Sequence, residues 1–227
     1  MPSLAENIAS VKDRVQQAAK DANSTAKLPR IIAVSKTRSA EDVRVAADQG
    51  ITDFGENYLQ EALEKIEKTA DLAINWHFIG AIQSNKTASI AQNFNWVQSI
   101  DRFKIAQRLN EQRPDYLPSL NTCIQINLDN EETKAGIPPE QAFALAQKLL
   151  ELPRLCLRGI MCIPQTKSTY QEQLKTGRKA YDLFNDLRQL SEDIDTLSLG
   201  MSADLEAAVA AGSTMVRIGT DIFGPRA

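Results

Sequence analysis

The amino-acid sequence predicts a TIM-type (β/α)8 barrel preceded by one extra helix. From residue 30 onward, short apolar runs rich in β-branched residues alternate with longer amphipathic stretches, the pattern of repeated βα units around a parallel sheet. Eight such units favour a closed barrel. An open, doubly wound sheet is the alternative, because the second run, Asp53 to Gly55, is short for a strand.

Helical patterns separate the predicted strands. The segment SAEDVRVAADQG begins at a Ser39 cap and ends at Gly50, and the segment PPEQAFALAQKLLEL carries prolines in its first turn. A long helix from about Tyr170 to Leu190 precedes the seventh strand. The eight strands span Ile31 to Ser35, Asp53 to Gly55, Ile74 to Gly80, Trp96 to Ser99, Thr122 to Leu128, Leu157 to Cys162, Thr196 to Leu199 and Met215 to Ile218.

The chain reads as one domain. Residues 3–20 have helical periodicity and form the extra helix, and no linker, repeat or low-complexity tract interrupts the βα pattern that follows. We therefore expect a single domain over residues 1–227, with a helix and lead-in at 1–29 and the barrel at 30–227.

The composition argues against several classes of partner. With 26 Lys+Arg against 29 Asp+Glu, the chain has no overall positive charge to neutralise nucleic acid or an anionic membrane surface. The amino terminus has early acidic residues where a signal peptide would be basic, and no later segment approaches the ~18 apolar residues of a membrane span. We expect a cytoplasmic protein that binds neither nucleic acid nor membrane.

The cysteine and histidine content predicts no metal site. The three cysteines, Cys123, Cys156 and Cys162, are an odd number without CxxC spacing, so buried reduced thiols are the favoured interpretation. His77 is the only histidine, which excludes any mechanism or metal site that needs two.

Lys36 is the first candidate for chemistry. The first strand reads IIAVSKT, which places Lys36 at its carboxyl end, the face where barrel enzymes keep their active sites. On position alone, a lysine reaching into water is the more usual arrangement.

The turns after the last two strands resemble a phosphate site. A Gly200-Met201-Ser202 turn follows strand seven, and VRIGTDIFG contains strand eight and the turn after it. The backbone N–H groups of Ser202, Gly219 and Thr220, with two hydroxyls, suit a phosphate group, and these two loops are its usual position in this fold. Each turn alone is more typical of a helix cap. With the lysine, they indicate either a Schiff-base aldolase or a pyridoxal phosphate protein.

Arg217 helps to separate these two possibilities. It lies on strand eight, two residues before the Gly-Thr turn, where its side chain would point inward beside a cofactor ring. A cationic partner keeps a pyridine nitrogen unprotonated and weakens the ring as an electron sink, in contrast to the Asp partner of transaminase-type enzymes.

Six motifs in order resemble the YggS/PROSC family of pyridoxal-phosphate homeostasis proteins. They are AVSKT, FGENYLQEA, WHFIGAIQSNK, RGIMCIP, LSLGMSADLEAAV and VRIGTDIFG, and the similarity runs from Lys36 to Gly224. Ala81 and Leu199 differ from the residues frequent in the family, which leaves only the loop geometry at the third strand in doubt. We interpret the family stretch LDNEETKAGI, which contains Lys134, as a solvated loop.

The resemblance implies a barrel like the N-terminal domain of alanine racemase, with pyridoxal 5'-phosphate as an internal aldimine on Lys36. It implies phosphate contacts at Ser202, Gly219 and Thr220. It also places Arg217 near the cofactor, at the ring nitrogen, the phosphate or both.

Three further residues match family positions near the cofactor. Asn57 corresponds to an asparagine at the end of strand two, and Met201 and His77 lie on segments that the family brings near the ring. An N-cap is an equal alternative for Asn57. A hydrogen-bonded core histidine is the favoured interpretation of His77, since its surroundings are apolar.

The resemblance also bears on catalysis. Racemisation needs two bases, one on each face of Cα, and the lysine supplies one. In the alanine racemases the other is a tyrosine of a separate C-terminal β domain, which we expect this chain to lack. None of its own tyrosines lies at a strand end: Tyr58, Tyr116, Tyr170 and Tyr181.

We therefore expect no catalytic residues and no strong catalytic activity. The expected function is a pyridoxal 5'-phosphate binder in intracellular cofactor homeostasis, which affects amino-acid and keto-acid balance indirectly and delivers the cofactor to apo-enzymes. The expected state is a monomer, because the absent domain commonly contributes to the racemase dimer. The alternative is a pyridoxal-phosphate-dependent racemase or lyase of alanine racemase type.

Overall fold

The strands close into a parallel barrel in which each pairs with the next and β8 pairs with β1. The computed structural model describes residues 2–23, 27–129, 135–165 and 169–225. Within these ranges the barrel has eight strands, so the closed barrel is confirmed and the open sheet is wrong. The strands are β1 Arg30–Val34, β2 Asp53–Glu56, β3 Asn75–Phe78, β4 Trp96–Ile100, β5 Leu120–Ile126, β6 Leu155–Cys162, β7 Thr196–Ser198 and β8 Met215–Ile218.

Helices cover the outside of the barrel and follow the predicted pattern with shifted ends. The cap of α2 is confirmed, because the Ser39 side chain accepts from Asp42 N. The prolines that follow β5 lie at a 3-10 turn, and α6 begins only after it. The helices are α1 Leu4–Asp21, α2 Ala40–Asp48, α3 Leu59–Lys68, α4 Thr87–Asn93, α5 Phe103–Gln112, α6 Ala142–Leu150, α7 Tyr170–Leu187, α8 Leu205–Ala210 and α9 Thr220–Phe223.

The extra helix α1 packs on the outside of the barrel against α8 and α9. It starts at a capping box in which Ser3 and Glu6 satisfy each other's backbone N–H groups. Its apolar stripe, which includes Ile8, Val11 and Val15, is buried. The first helix in the sequence therefore supports the two units that end the chain.

Two buried regions stabilise the fold. The larger apolar core includes residues of both the sheet and the surrounding helices, and a smaller cluster comprises Ile32, Trp96, Cys123, Met161 and Met215. Ile32 pairs in register with Arg217, so these two side chains share one face of the sheet. The barrel interior thus mixes apolar side chains with buried polar ones, as a filled core and not a channel.

Two further expectations concern membrane spans and the loop that contains Lys134. None of the helices in the described ranges is long and apolar enough to cross a membrane. Lys134, in the loop interpreted as solvated, lies outside the described residues.

Candidate functional site

A pocket of about 280 Å³ opens at the carboxyl end of the barrel strands. This volume is close to the lower end of the roughly 300 to 1,000 Å³ usual for small-molecule sites. The structure brings seven of the predicted site residues to this pocket, beside apolar side chains that include Ile79 and Ile163. The seven are Lys36, Asn57, Met201, Ser202, Arg217, Gly219 and Thr220.

Lys36 lies two residues beyond β1, between two residues whose positions are fixed by hydrogen bonds. Before it, Ser35 Oγ donates to Glu56 Oε1 at 2.7 Å. After it, Thr37 has a left-handed φ of 64°, and its backbone N–H donates to Glu61 Oε1 at 2.5 Å. A β-branched residue rarely adopts this conformation, so the backbone beside Lys36 is strained.

The Lys65 side chain joins the groups that hold Ser35 and Thr37 in place. Its Nζ donates to Ser35 O at 2.6 Å, Glu56 Oε1 at 2.8 Å and Glu61 Oε1 at 2.5 Å, with only 5% of the side chain exposed. Burial raises the pKa of Glu56, while hydrogen bonds from Lys65 and Ser35 oppose that shift. Removing one partner of such a buried pair leaves an uncompensated charge. The network therefore holds the segment on both sides of Lys36.

Sequence reasoning missed this network, although two signals were present. Glu56 directly precedes Asn57 at a strand end, and Glu61 and Lys65 have the i,i+4 spacing of a helical ion pair. Neither signal shows that these side chains meet beneath β1, because that contact depends on the packing of α3.

Asn57 carries a polar atom that the fold does not satisfy. Its Oδ1 is buried and has no hydrogen-bond partner among the described residues. Asn57 lines both the pocket and a neighbouring groove that contains Tyr58 and Lys86. A buried atom without a partner fits a residue that completes its hydrogen bonds with a ligand.

The two turns predicted to bind phosphate meet at the pocket rim. Ser202 Oγ accepts from the backbone N–H of Asp221 at 3.4 Å, which joins the loop after β7 to the start of α9. Gly219 precedes α9, and a Cβ placed there would meet atoms of the described chain only at 3.5 Å or beyond. The protein's own packing does not demand glycine here, whereas a group approaching the backbone would.

Arg14 of α1 holds these turns together from outside. Its guanidinium donates to Ser202 O at 3.1 Å and Glu206 Oε1 at 2.7 Å, and it also pairs with the Asp221 carboxylate. The hydrogen bond from Arg14 lowers the pKa of Glu206. The extra helix thus fixes the geometry of the rim, a role that no local sequence pattern indicated.

Arg217 lies deeper, at the floor of the pocket, with 4% of its surface exposed. Its Nη1 donates to Ser198 Oγ at 2.7 Å and its Nη2 to Cys162 O at 2.8 Å. Burial lowers the pKa of the guanidinium. These partners lie at the ends of β7 and β6, so the guanidinium is directed along the pocket floor toward those strands.

His77 and Met201 occupy different positions from one another. His77 is fully buried inside the barrel, where its ring stacks on Trp96 and contacts Asp53 and Gln98, and it is not among the described residues that line the pocket. This geometry matches the core interpretation of the residue. Met201 lies at the rim and is 37% exposed.

Known proteins show the same fold and the same sequence pattern. The chain matches the family described as alanine racemase, N-terminal domain, over residues 4–227. It is 51% identical over 226 residues to the pyridoxal phosphate homeostasis protein of Pseudomonas aeruginosa. The alignment covers 100% of this chain and 97% of that protein. The chain belongs to the pyridoxal phosphate homeostasis protein family. The family resemblance seen in the sequence motifs is therefore confirmed.

Solved structures share the fold of this homeostasis-family chain. PipY of Synechococcus elongatus PCC7942, solved with PLP bound, has a TM-score of 0.84 and 32% identity, covering 98% of this chain and 100% of that one. An alanine racemase of Clostridium difficile 630 has a TM-score of 0.77 at 14% identity, covering 97% of this chain and 57% of that one. The second likeness shows a shared fold alone.

The Arg14 contacts predict a pH-dependent loss of stability in Arg14→Met. The pKa of Glu206 is lowered in the folded state, so its stabilising effect is present above the pKa of an unfolded glutamate and is lost as pH falls through the lowered value. Because both side chains are partly exposed, we expect a loss of about 1 kcal/mol at neutral pH, shrinking in acid. Urea unfolding of the wild type and the variant, at neutral pH and at acid pH, measures this loss of stability.

Arg44→Met is the matched control, because Arg44 pairs with Asp71 away from the pocket rim. Both variants lose surface ion pairs, but only Arg14→Met releases the Ser202 turn. An equal loss of stability at neutral and acid pH in Arg14→Met would contradict the assigned role of Glu206.

Proposed function

We propose that this protein binds pyridoxal 5'-phosphate covalently, through a Schiff base on Lys36 Nζ, and stores and delivers the cofactor without strong catalysis of its own. Family membership and the PLP-bound PipY structure support the choice of cofactor. The observation that carries the proposal is the convergence of a primary amine, two phosphate-type turns and a buried arginine in one pocket.

The rim has the donors that a phosphate needs. Ser202 and Thr220 contribute hydroxyls, and the turn at Gly219 opens α9 with backbone N–H groups that have no helical partner. The placement of Gly219 and Thr220 beside Lys36 follows from the pairing of β1 with β8. In the proposal, the phosphate lies at this rim and the amine lies next to it.

Arg217 is proposed to face the ring nitrogen. Its guanidinium bonds to the ends of β6 and β7, away from the turn at Gly219, which favours the ring over the phosphate as its contact. When bound, pyridoxal phosphate supplies an aldehyde for a reversible C=N bond and a ring that withdraws electrons best with its nitrogen protonated. A buried cation opposes that protonation, which suits holding the cofactor better than activating a substrate.

The pocket also lacks an evident second base within the described residues. No tyrosine lines it, and Tyr58, in the neighbouring groove, is 60% exposed. Ile163 and Met201 at the rim are 40% and 37% exposed, so the pocket is open to solvent, which disfavours carbanion chemistry. An open pocket with a reversible covalent bond suits exchange with apo-enzymes.

The wider proposal follows from this chemistry. A protein that buffers pyridoxal phosphate in the cytoplasm, as a monomer, would affect amino-acid and keto-acid balance through the enzymes that use the cofactor. The alternative is a racemase or lyase acting through Lys36. The fold shared with alanine racemase and the position of Tyr58 beside Asn57 favour keeping that alternative under test.

Lys36→Ala is expected to abolish the covalent bond. The wild-type protein with pyridoxal phosphate should show a visible absorption band that borohydride bleaches, because hydride reduces a C=N bond to an amine. Lys36→Ala should lack the band. Lys86→Ala is the control, since Lys86 lines only the neighbouring groove, and it should keep the band. A reducible band that persists in Lys36→Ala would refute the assignment, and an aldolase that uses Lys36 without a cofactor predicts colourless protein as purified.

Ser202→Ala and Thr220→Val are expected to weaken cofactor retention. Each removes one hydrogen bond to a charged group, worth on the order of 1.5 to 3 kcal/mol. Equilibrium dialysis against pyridoxal phosphate and against pyridoxal, which has no phosphate, separates this effect from general damage. Ser191→Ala, which removes a hydroxyl bonded to Asp193 N away from the pocket, is the control. Equal retention by the double variant and the wild type would rule out this phosphate site.

The proposed function predicts no sustained turnover of amino acids. Highly purified protein incubated with each common amino acid should leave its configuration and concentration unchanged, measured by chiral chromatography. Tyr58→Phe should behave like the wild type. Turnover that survives purification and disappears in Lys36→Ala would overturn the carrier proposal in favour of the enzyme.

A further inference from the structure

A chain of buried polar side chains crosses the barrel interior, starting at Arg217 beneath the pocket. Arg217 Nη1 bonds to Ser198 Oγ at 2.7 Å, and Ser198 Oγ bonds to Gln98 Oε1 at 2.7 Å. Gln98 Nε2 then meets His77 Nδ1 at 2.9 Å, and His77 Nε2 meets Asp53 Oδ1 at 2.9 Å. Each of these five residues is at most 4% exposed. The chain links four different strands besides that of Arg217.

The direction of every hydrogen bond in the chain is determined by its two ends. A guanidinium only donates, so Ser198 Oγ accepts from Arg217 and gives its single hydrogen to Gln98 Oε1. The amide N–H of Gln98 then faces His77 Nδ1, which must accept. His77 is therefore neutral with its proton on Nε2, and that N–H donates to the Asp53 carboxylate.

Asp53 is itself held firmly at the far end. Thr52 Oγ1 donates to its carboxylate at 2.8 Å and Asn75 Nδ2 at 3.3 Å, while Arg30 lies 3.5 Å away. A cation at one end and an anion at the other match the direction of the dipoles between them, so the bonds polarise and strengthen each other. The chain is therefore an ordered array and not a set of accidental contacts.

We propose that Ser198, Gln98 and His77 are positioning residues that fix the orientation of the Arg217 guanidinium toward the cofactor ring, an inference that rests on the proposed function. Cys162 O alone holds the guanidinium at one point, which permits rotation about that bond. The second bond to Ser198 stops the rotation, and Gln98 and His77 stop Ser198 from turning. The array fixes orientation and does not conduct protons, because the Gln98 carboxamide does not exchange its oxygen and nitrogen roles.

The protein contains one histidine, so its imidazole NMR signals belong to His77 alone and can be used to test the proposal. Long-range ¹H–¹⁵N spectra of the cofactor-free protein at neutral pH should show a neutral ring with the proton on Nε2. Addition of pyridoxal phosphate should shift the Nδ1 resonance, because Arg217 transmits the contact through Ser198 and Gln98. In Ser198→Ala that shift should disappear.

Cofactor binding provides the second measurement. Ser198→Ala should raise the dissociation constant on the order of tenfold, equivalent to about 1.4 kcal/mol, and move the absorption band. Gln98→Leu should act in the same direction. Thr122→Val is the matched control, because it removes a buried hydroxyl that bonds to Cys156 O outside the array, and it should keep the wild-type band and affinity.

The outcomes separate this inference from the proposed function. If the wild-type protein fails to bind pyridoxal phosphate, both fall. If the wild type binds and Ser198→Ala matches it in affinity, absorption band and His77 shift, the proposed function stands and the inference is wrong. A His77 ring that is cationic or carries its proton on Nδ1 also overturns it, with no variant needed.

Discussion

Parallel pairing between β1 and β8 closes the sheet and brings the beginning and end of the barrel sequence into contact. Ile32 pairs with Arg217 and Ala33 with Ile218, so both strands deliver their carboxyl ends to the same rim. Lys36 and Gly219 are neighbours for this reason alone, although most of the chain lies between them. In an open sheet the two strands would not be joined, and the amine and the phosphate turns would not share a pocket. The remaining contacts of the site refine a position that this pairing creates.

The sequence predicted the number and order of strands better than their ends. The third strand was expected over Ile74 to Gly80, but it pairs only over Asn75–Phe78, because its partner β2 has four residues and the ladder stops with it. The fifth was expected from Thr122 but begins at Leu120, where β6 offers a partner at Leu155. Hydrophobic periodicity identifies a strand, whereas the neighbour decides where its hydrogen bonds begin and end.

The residues of the site divide in the same way. Lys36, Ser202 and Thr220 follow strands, and a strand end is visible in a sequence. Arg14 and Lys65 were missed, because they act from helices whose contacts depend on how α1 and α3 pack. Such contacts join residues far apart in the chain, and no local pattern encodes them. His77 was ambiguous for another reason: the pattern placed it on a strand but did not show its depth, and its partners lie on two other strands.

The left-handed backbone at Thr37 lowers the stability of the fold, while its rigidity helps to position the neighbouring Lys36. A threonine at a φ of 64° costs on the order of 1 to 3 kcal/mol compared with a relaxed conformation, and glycine would remove most of that penalty. Glycine would keep the backbone N–H that Glu61 holds, but it would widen the range of conformations open to this peptide. A thermostability screen would therefore select glycine at this position and, in the same step, loosen the segment that aims Lys36. Engineering for robustness alone would select against a rigid amine, so a screen of this protein needs cofactor retention as a second criterion.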